Sequence, residues 1–589
     1  MTIFDVLTLI GGIALFLYGM HIMGNALTRA AGNKLEGLLE RLTKTTIMGV
    51  LLGAGVTAVI QSSGATTVMV VGFVNSGIMK LSQAVGIIMG ANIGTTITAW
   101  ILSLTGIQGD SIFVNLLKPT SWTPILALIG IIFVMFLKDE KKHDIGEIFL
   151  GFAVLMFGMT TMTNAAAPLA DMPSFTNMLL RFSNPVFGIL AGTILTAALQ
   201  SSSASVGILQ ALCMTGTVPY GVALPIIMGQ NIGTCVTAMI SSIGAKKNAQ
   251  RAAFIHLYFN LIGTLIFITV YYSLNAVFHF PLTSEAATPA GIAIVHSAFN
   301  IICTLFWLPF NKVLVKLAMM TIRGNDDDEV ETGEFTQELS LLDERFLERP
   351  AFAVAQVVTV SNRMADLTRQ CLFDATDYML QRKSKMKKRA VALESAIDLY
   401  EDQLGSYLVK LSGRSLSLKD SETVSTILHS ISNFERISDH SLNLVETTDD
   451  MIKDDSKFSD KAMKELQIYI SAVREIVDIT VNAFSHNDIR AAYSIEPLEE
   501  VIDNLNSKAK KHHVKRMQSG ECTMGLSVLI EDTYINLERI SDHCSNIGVT
   551  LIQISADEFD THEYLDTLRE ERTPEFAKKF DEYKAKYHF

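Results

Sequence analysis

Long apolar segments recur through the first half of the chain, with polar residues gathered between them. An α-helix needs about 20 residues to cross about 30 Å of hydrocarbon. Seven segments approach or exceed that length, near residues 4–24, 83–104, 122–138, 146–168, 220–243, 252–273 and 291–315. The pattern therefore predicts an all-α, polytopic membrane domain with seven transmembrane helices.

Two pairs of shorter apolar segments meet at polar turns. The pairs are 47–60 with 65–79 and 186–199 with 204–217. Each segment is too short to cross a membrane comfortably, and polar backbone at membrane depth is tolerated only where protein or a water-filled cavity satisfies it. The pattern predicts two re-entrant hairpins with polar tips.

These turns belong to an internal repeat with an offset of 139 residues. Gln-Ser-Ser at 61–63 recurs at 200–202, and Gly-Ala-Asn-Ile-Gly-Thr at 90–95 recurs at 229–234 as Gly-Gln-Asn-Ile-Gly-Thr. Three predicted spans separate corresponding points, and an odd number turns the second copy upside down. The sequence thus predicts an inverted repeat, with the substrate site of a secondary transporter between its copies.

Basic residues mark one side of the predicted membrane domain. They cluster around 29–44, 138–142, 246–251 and 312–323, which the predicted topology places on a single side. Lys and Arg accumulate in cytoplasmic loops. We therefore expect a plasma membrane protein, the bacterial inner membrane in a bacterium, with its N-terminus outside and its C-terminal half in the cytoplasm.

Charge separates the two halves of the chain. Residues 1–322 contain 15 basic and 10 acidic residues, whereas 323–589 contain 33 and 50. The first half is predicted to be a membrane domain with a net charge of +5, and the second a soluble region with −17. The expected divisions are repeat one at about 5–138, repeat two at about 145–245, further spans to 318, an acidic linker at 323–340, a helical domain at 341–556 and a tail at 557–589.

Period-3.6 patterning in the second half predicts six helices, grouped as two three-helix bundles. A second repeat supports this division, because Glu-Arg-Ile-Ser-Asp-His at 435–440 returns at 538–543. Two carboxylates lie four residues apart in each copy and share a helix face. Such pairs can bridge a divalent metal ion, although solvated surface is an equally good interpretation. The four candidate metal ligands are Glu435, Asp439, Glu538 and Asp542.

The hairpin tips have the chemistry of an oxyanion site. A helix N-terminus offers free N–H groups and a positive dipole end, and hydroxyl groups add donors. The candidate anion ligands are Gln61, Ser62, Ser63, Thr66, Gln200, Ser201, Ser202 and Ser203.

The repeated Gly-x-Asn-Ile-Gly-Thr blocks are expected to break the next helix and to present neutral oxygen atoms, which suit a hard cation. The candidate sodium ligands are Asn92, Thr95, Thr96, Asn231 and Thr234. The hairpins and adjacent helices contain a single charged residue, Lys80, at a turn. Proton carriers usually need acidic or His relays at depth, so sodium coupling is favoured. Close helix packing through small residues is the alternative reading of these blocks.

A weaker repeat places His and Asn four residues apart in each of the last two spans. His256 and Asn260 recur as His296 and Asn300. Intramembrane His is a functional candidate, but a hydrogen bond between packed helices explains the pattern at least as well.

The Gln-Ser-Ser and Gly-x-Asn-Ile-Gly-Thr repeats resemble those of the bacterial sodium-phosphate cotransporter family, which is related to the animal type II cotransporters. The Glu-Arg-Ile-Ser-Asp-His repeats resemble PhoU, a bacterial regulator of phosphate signalling. The resemblance implies inorganic phosphate as substrate, sodium as coupling ion, alternating access, and iron, manganese or another divalent metal in the PhoU-like domain. The two copies differ at two positions of these motifs. The first copy has Gly64 where the second has Ser203, and the second has Cys235 where the first has Thr96.

Two function classes follow. The first is a sodium-phosphate symporter with a regulatory cytoplasmic domain, and the second is a membrane-bound phosphate sensor that binds without transporting. No nucleophile-and-base arrangement or phosphate-binding Gly-rich loop indicates an enzyme. The expected partners are phosphate, sodium and the lipid bilayer, with no nucleic acid, and a second copy or a regulatory protein is expected to bind the PhoU-like domain.

Overall fold

A computed structural model of the protein describes residues 2–31, 45–106, 118–137, 139–172, 175, 181–324, 335–520, 524–556 and 574–589. Within those residues it is helical, with no β-strand beyond one isolated bridge between Pro219 and Ala286. The chain divides into two compact units, Met1–Glu329 and Val330–Phe589. The predicted all-α fold is confirmed.

The first unit is built almost entirely from apolar helices. In chain order these are α1 Ile3–Ala31, α2 Thr46–Ile60, α3 Ser63–Asn75, α4 Leu81–Ser103, α5 Pro119–Phe136, α6 Glu140–Ala166, α7 Pro185–Leu199, α8 Ser202–Cys213, α9 Tyr220–Ser241, α10 Lys247–Phe278, α11 Pro289–Trp307 and α12 Asn311–Thr321.

Six of the seven predicted spans are long and apolar enough to cross a membrane, namely α1, α4, α6, α9, α10 and α11. The predicted third span corresponds to α5, whose apolar part covers only Ser121–Phe136. The predicted seventh span is shorter than expected, because α11 stops at Trp307 and the separate helix α12 begins at Asn311. The basic residues Lys34, Arg41, Lys44 and Lys138 lie outside the described residues.

Both polar turns lie between two short helices, as the pattern predicts. α2 and α3 have 15 and 13 residues, and α7 and α8 have 15 and 12. A glutamine in the left-handed region ends the first helix of each pair, with φ 60° at Gln61 and φ 51° at Gln200. This conformation costs a residue other than Gly about 1–2 kcal/mol. The same strained turn is therefore built twice.

The first helices of the two repeats, α1 and α6, pack against each other through matched positions. A Cβ on Gly12 would lie 2.8 Å from the Met162 nitrogen, and a Cβ on Gly151 would lie 2.6 Å from the Met23 nitrogen. Since Gly151 and Met162 lie 139 positions after Gly12 and Met23, the contacts are reciprocal. Early residues of α1 meet late residues of α6, so the two related helices run antiparallel. Reciprocal contacts of this kind define a two-fold relation, here about an axis perpendicular to the helices.

The expectation that the Gly-x-Asn-Ile-Gly-Thr blocks break their helices is wrong. α4 and α9 continue through the blocks without interruption. Their glycines serve close packing instead, because a Cβ on Gly90 would overlap the Val50 carbonyl oxygen and one on Gly229 would overlap that of Ile189. The helix carbonyls at the blocks therefore remain in the regular hydrogen-bond ladder.

The second unit consists of two helical bundles, as predicted. The first contains α13 Pro350–Gln381, α14 Ser384–Ser412 and α15 Leu418–Lys453, and the second contains α16 Asp460–His486, the short α17 Ile489–Ala492, α18 Ile495–Gln518 and α19 Met524–Ala556. The two bundles contact each other through α15 with α19 and through α13 with α16.

Two segments outside the predicted bundle also fold in this unit. The last helix, α20 Pro574–Lys586, lies in the predicted tail and packs on α18. The end of the predicted linker forms a 3-10 helix at Gln337–Leu341, and Tyr400 donates hydrogen bonds to Glu338 (2.9 Å) and to the Phe335 carbonyl (3.1 Å). Residues 325–334 of the linker and 557–573 of the tail lie outside the described residues.

Candidate functional site

The two hairpin tips share one hydrogen-bond pattern. Ser62 caps α3 by accepting from the Ala65 N–H (3.2 Å), and Ser201 caps α8 by accepting from the Ala204 N–H (3.2 Å). A helix's first turn leaves further N–H groups without intrahelical acceptors. Each tip therefore combines a capping hydroxyl with backbone donors, an arrangement that binds anions. The next hydroxyls of the motif are buried, at Ser63 in one copy and at Ser202 and Ser203 in the other.

The two glutamines of the tips differ in their surroundings. Gln61 is half-buried, and its Oε1 accepts from Thr98 Oγ1 of α4 (2.6 Å) while its Nε2 donates to the Ala58 carbonyl. Gln200 is exposed on the protein surface. The repeat therefore conserves the backbone turn more closely than the side-chain contacts.

A pair of hydroxyls behind each tip also differs between the copies. Thr57 donates to Thr66 (3.0 Å) and both are fully buried. Their counterparts, Thr196 and Ser205, are fully buried too, but neither hydroxyl has a hydrogen-bond partner within the described ranges. Thr57 and Thr196 escaped the sequence analysis, although each is a hydroxyl residue at the 139-residue offset inside an apolar helix.

Each hairpin packs against the polar helix of the other copy. A Cβ on Gly64 in α3 would lie 3.6 Å from the Thr237 methyl group in α9, and Gln210 of α8 donates to the Ala99 carbonyl of α4 (3.0 Å). Gln210 also donates to the Pro289 carbonyl at the start of α11 (2.9 Å). Each hairpin therefore contacts a helix of the other repeat. Convergence of the two tips on one ligand stays a prediction.

The candidate sodium ligands are buried on α4 and α9. The hydroxyls of Thr95, Thr96 and Thr234 donate to carbonyls of their own helices, at 3.1, 2.7 and 3.0 Å. A hydroxyl that donates keeps lone pairs available to a cation. These three residues therefore keep oxygen lone pairs at the repeated blocks.

The two asparagines of the blocks bond to the last two spans. His256 Nε2 lies 3.4 Å from Asn92 Oδ1, and His296 Nε2 lies 3.3 Å from Asn231 Oδ1. Asn300 adds a second donor to Asn231 Oδ1 at 3.2 Å. The His and Asn repeat of α10 and α11 is thus connected to the predicted cation blocks by hydrogen bonds between helices.

The second unit contains two clusters of three carboxylates, each formed by neighbouring helices. Their ligand atoms lie within 4.8 Å of one another in each cluster. The clusters are Glu394, Asp398 and Asp439 in the first bundle, and Glu499, Asp503 and Asp542 in the second. Asp439 and Asp542 were predicted, whereas the other four were missed. Their Glu-x-x-x-Asp spacing on α14 and α18 was the available signal.

The predicted partners Glu435 and Glu538 lie beside these clusters. Burial, with the neighbouring Asp439 charge as the second cause, raises the pKa of Glu435 to about 7. Burial and the nearby Asp398 charge likewise raise the pKa of Glu394. Glu538 accepts from Lys510 at 3.3 Å. Crowded carboxylates with raised pKa values form a donor set that suits a hard divalent cation.

The His residue of each Glu-Arg-Ile-Ser-Asp-His repeat connects the two bundles. His440 Nδ1 lies 2.9 Å from Asn536 Oδ1, and His543 Nδ1 lies 3.0 Å from Asn433 Oδ1. The two imidazole rings stack with centroids 5.6 Å apart. This reciprocal exchange places the repeated His residues on a local two-fold axis between α15 and α19.

These features define a polytopic α-helical membrane protein whose duplicated hairpin tips carry serine-capped helix N-termini, followed by a duplicated helical unit with carboxylate clusters. Residues 15–164 and 168–282 match the family model described as Na+/Pi-cotransporter, and residues 361–448 and 467–550 match the PhoU domain model. The chain thus contains a Na+/Pi-cotransporter family region followed by a PhoU domain. The resemblance drawn from the motifs is confirmed over these residues.

Proteins similar to this chain include two sequence relatives and one solved structure. The "Putative inorganic phosphate export protein YjbB" of Salmonella typhimurium is 24% identical over 520 residues, covering 87% of this chain and 90% of that protein. "Sodium-dependent phosphate transport protein 2A" of Rattus norvegicus is 33% identical over 99 residues, 16% of this chain and 15% of that protein. The crystal structure of PhoU from Pseudomonas aeruginosa aligns with a TM-score of 0.33 and 20% identity, covering 34% of this chain and 97% of that one.

Proposed function

We propose that this protein is a sodium-coupled secondary transporter of inorganic phosphate. The observation that carries the proposal is the twice-built hairpin tip, with a left-handed glutamine followed by a capping serine in both copies. Non-Gly residues in strained backbone conformations cluster at functional sites. The Na+/Pi-cotransporter family match over the same residues names the ion and the anion.

Phosphate binding is assigned to the two tips. Hydroxyl and N–H donors at Ser62, Ser63, Ser201 and Ser202 suit the unprotonated oxygens of a phosphate ion, which accept hydrogen bonds. No Lys, Arg, Asp or Glu lies within residues 45–79 or 185–217. The anion is therefore held by neutral donors and helix dipoles, and Gln61, Thr66, Gln200 and Ser203 complete the proposed ligand set.

Sodium is the proposed coupling ion. Thr95, Thr96 and Thr234, with Asn92 and Asn231, supply neutral oxygens close to the hairpins, and an ion with a hard positive charge offsets the charge of phosphate. The two copies are proposed to be inverted in the membrane, which the antiparallel packing of α1 against α6 supports. The hairpins are proposed to be re-entrant, since both consist of helices too short to span.

The proposed orientation follows from the basic residues. Arg29 lies at the end of α1, and Lys246 and Arg251 lie at the start of α10, which favours the cytoplasm for that side. The N-terminus is then outside and the PhoU domain is cytoplasmic. The direction of net transport follows the ion and phosphate gradients, and the name of the Salmonella relative makes export one of the outcomes to measure.

The test compares capping serines. The double variant Ser62→Ala/Ser201→Ala removes one hydroxyl from each tip, and hydrogen bonds to charged groups contribute about 1.5–3 kcal/mol each. Sodium-driven uptake of radiolabelled phosphate into proteoliposomes should fall at least about tenfold. Ser459→Ala is the matched control, because Ser459 caps α16 by accepting from Ala462 (3.3 Å) in the second unit. Equal uptake by both variants and the parent protein would remove the tips from the site.

The same vesicles separate a carrier from a sensor. A sensor would bind phosphate saturably without accumulating it, whereas the proposed carrier concentrates phosphate when sodium is supplied outside. The PhoU domain favours a regulatory role for the second half. Deletion of residues 324–589 should then raise the uptake rate, and an unchanged rate would argue against inhibition by this domain.

The carboxylate clusters are proposed to hold divalent metal in the PhoU domain. Asp439→Asn and Asp542→Asn each remove one ligand charge from a different cluster. Elemental analysis of the purified protein should show metal bound in the parent, about half in each single variant and none in the double variant. Equal metal content in all four proteins would reject these residues as ligands.

A further inference from the structure

The last two spans of the membrane unit each carry a column of three polar residues at intervals of four. The columns occupy one face of each helix and repeat the same three residue types. The α10 column consists of His256, Asn260 and Thr264. The α11 column consists of His296, Asn300 and Thr304. All six residues are 97% or more buried.

The bonding of each histidine fixes its tautomer. Asn92 donates through Nδ2 to the Ile88 carbonyl (3.1 Å), so its Oδ1 accepts from His256 Nε2. His296 likewise donates through Nε2 to Asn231. A neutral imidazole that donates from Nε2 has a bare lone pair on Nδ1. Neither Nδ1 has a hydrogen-bond partner among the described residues.

The other two members of each column are also left with unpaired atoms. Asn260 and Asn300 each donate an N–H to the carbonyl four residues back, at 3.0 and 2.9 Å, and their Oδ1 atoms have no partner in the part of the chain that the structure describes. The hydroxyls of Thr264 and Thr304 have no partner there either, unlike that of Thr95, which donates to its own helix.

The unpaired atoms are mostly acceptors, and their positions match in both columns. Leaving a buried polar atom without a partner costs about 1–3 kcal/mol. Six such atoms at matched positions of the two columns therefore indicate that they bind a ligand. An oxyanion carries acceptors itself and is repelled by imidazole and amide lone pairs. A hard cation without protons is attracted to them, because neutral oxygen and imidazole nitrogen are its ligands.

The columns lie next to the predicted sodium blocks and add unpaired amide and imidazole acceptors to the hydroxyl oxygens of those blocks. Asn231 Oδ1 already accepts from two donors, His296 and Asn300, which occupy both of its lone pairs. Among the Asn and His side chains here, the unpaired acceptors are therefore on the columns. α10 and α11 pack directly here, since a Cβ on Gly263 would lie 2.8 Å from Cys303 Sγ.

We propose that the two polar columns form a sodium-binding region separate from the hairpin tips. This deepens the proposed function and rests on its sodium coupling, but the columns bind sodium whether or not phosphate is present. His256 and His296 then act as the connection between bound sodium and the Asn residues of α4 and α9. The hairpins, which hold phosphate, supply none of these ligands.

The experiment measures sodium binding without transport. The thermal unfolding midpoint of the purified full-length protein is recorded in detergent without phosphate, as sodium replaces potassium at constant ionic strength. The parent protein should show a saturable rise specific to sodium. Equal behaviour in potassium, or no rise, would overturn the proposal and leave buried water as the partner of these atoms.

The decisive variant is Thr264→Val/Thr304→Val, which keeps shape while removing two unpaired hydroxyls. Without sodium its midpoint should equal or exceed that of the parent, because no hydrogen bond is lost, whereas the sodium concentration for half-maximal shift should rise at least about tenfold. Thr269→Val is the control, an exposed residue of α10 that donates to the Leu265 carbonyl (2.7 Å). An unchanged sodium response in the double variant would overturn the proposal.

Two further proteins separate this inference from the transport proposal. Asn260→Leu/Asn300→Leu removes the amide acceptors and should abolish the sodium shift in any preparation that remains folded. Ser62→Ala/Ser201→Ala should keep the full sodium shift while losing phosphate uptake. A parent protein that shows the sodium shift yet takes up no phosphate would contradict the transport proposal alone. Loss of the sodium shift in the serine variant would instead contradict the separation of the two sites.

Discussion

Replacing Gln61 by glycine separates the two roles that this residue can have. Its backbone is left-handed, with φ 60° and ψ 20°, a region that glycine adopts without strain. Its side chain accepts from Thr98 and is a proposed phosphate ligand. If Gln61 were only a turn residue, glycine would serve equally well. Since we assign the amide to the site, we expect Gln61→Gly to fold and to lose transport.

The expected change in stability is small because opposing effects nearly cancel. Relief of left-handed strain stabilises the variant by about 1–2 kcal/mol. The greater freedom of glycine in the unfolded chain costs about 0.4–1 kcal/mol, and loss of the Thr98 hydrogen bond costs about 0.5–1.5 kcal/mol. The net change should lie within about 1.5 kcal/mol of zero, a shift of a few degrees at most in a chain of this size. Gln61→Ala keeps the strain and loses the hydrogen bond, so it should be the less stable variant.

The assay pairs the unfolding midpoint in detergent with phosphate uptake into proteoliposomes. Gln61→Gly should keep its midpoint and lose at least about tenfold in uptake, the effect of one hydrogen bond to a charged ligand. Asp455→Gly is the control, since Asp455 is also left-handed, with φ 48°, but lies in the second unit. Normal uptake by Gln61→Gly would refute the assignment of the amide to the phosphate site.

Two other substitutions test the packing and the electrostatics. Gly90→Ala should destabilise the protein by at least about 1–3 kcal/mol, the cost of an overpacked core, because the new Cβ meets the α2 backbone. The loss should appear as a lower unfolding midpoint or a lower yield of folded protein. Gly11→Ala should be neutral, because its new Cβ has nothing within 4 Å. The raised pKa of Glu435 means that the unfolded chain loses its proton near the ordinary value of 4.5 and the folded protein only near 7. The stability of the metal-free protein should therefore fall as pH rises between these values. Glu435→Gln should remove that part of the fall. Identical pH profiles of the two proteins would contradict the raised pKa of Glu435.

Local patterns in the sequence were sufficient to predict most of the fold. The helices of both units follow from apolar periodicity, and the two hairpin turns follow from Gln-Ser-Ser interrupting short apolar runs. The capping serines Ser62 and Ser201 also follow, because a serine hydroxyl readily accepts from the first turn of a helix.

The errors arose where tertiary packing decides the role of a residue. Glycines in the Gly-x-Asn-Ile-Gly-Thr blocks can break a helix or let a neighbour approach, and only the position of α2 against Gly90 shows that packing is their role here. The carboxylate clusters bring residues of α14 and α18 to Asp439 and Asp542. Two consecutive helices meet at each cluster, and no single-segment pattern encodes which face of one helix contacts the other.

The histidines illustrate the same limit. Their spacing was visible in the sequence, and a packing hydrogen bond and a functional role were both open. The structure supplies that hydrogen bond, from His256 to Asn92 and from His296 to Asn231, and leaves the other ring nitrogen unpaired in both copies. That combination depends on side-chain positions, which the sequence pattern does not specify.

Accumulation of phosphate driven by a sodium gradient tests the central claim most directly. Proteoliposomes containing the full-length protein are loaded with potassium and diluted into sodium with radiolabelled phosphate, and a parallel set is diluted into potassium. The account predicts that internal phosphate rises above the external concentration in sodium alone, and that dissipating the sodium gradient abolishes the rise. Phosphate that never exceeds the external concentration, or that accumulates equally in potassium, would contradict it.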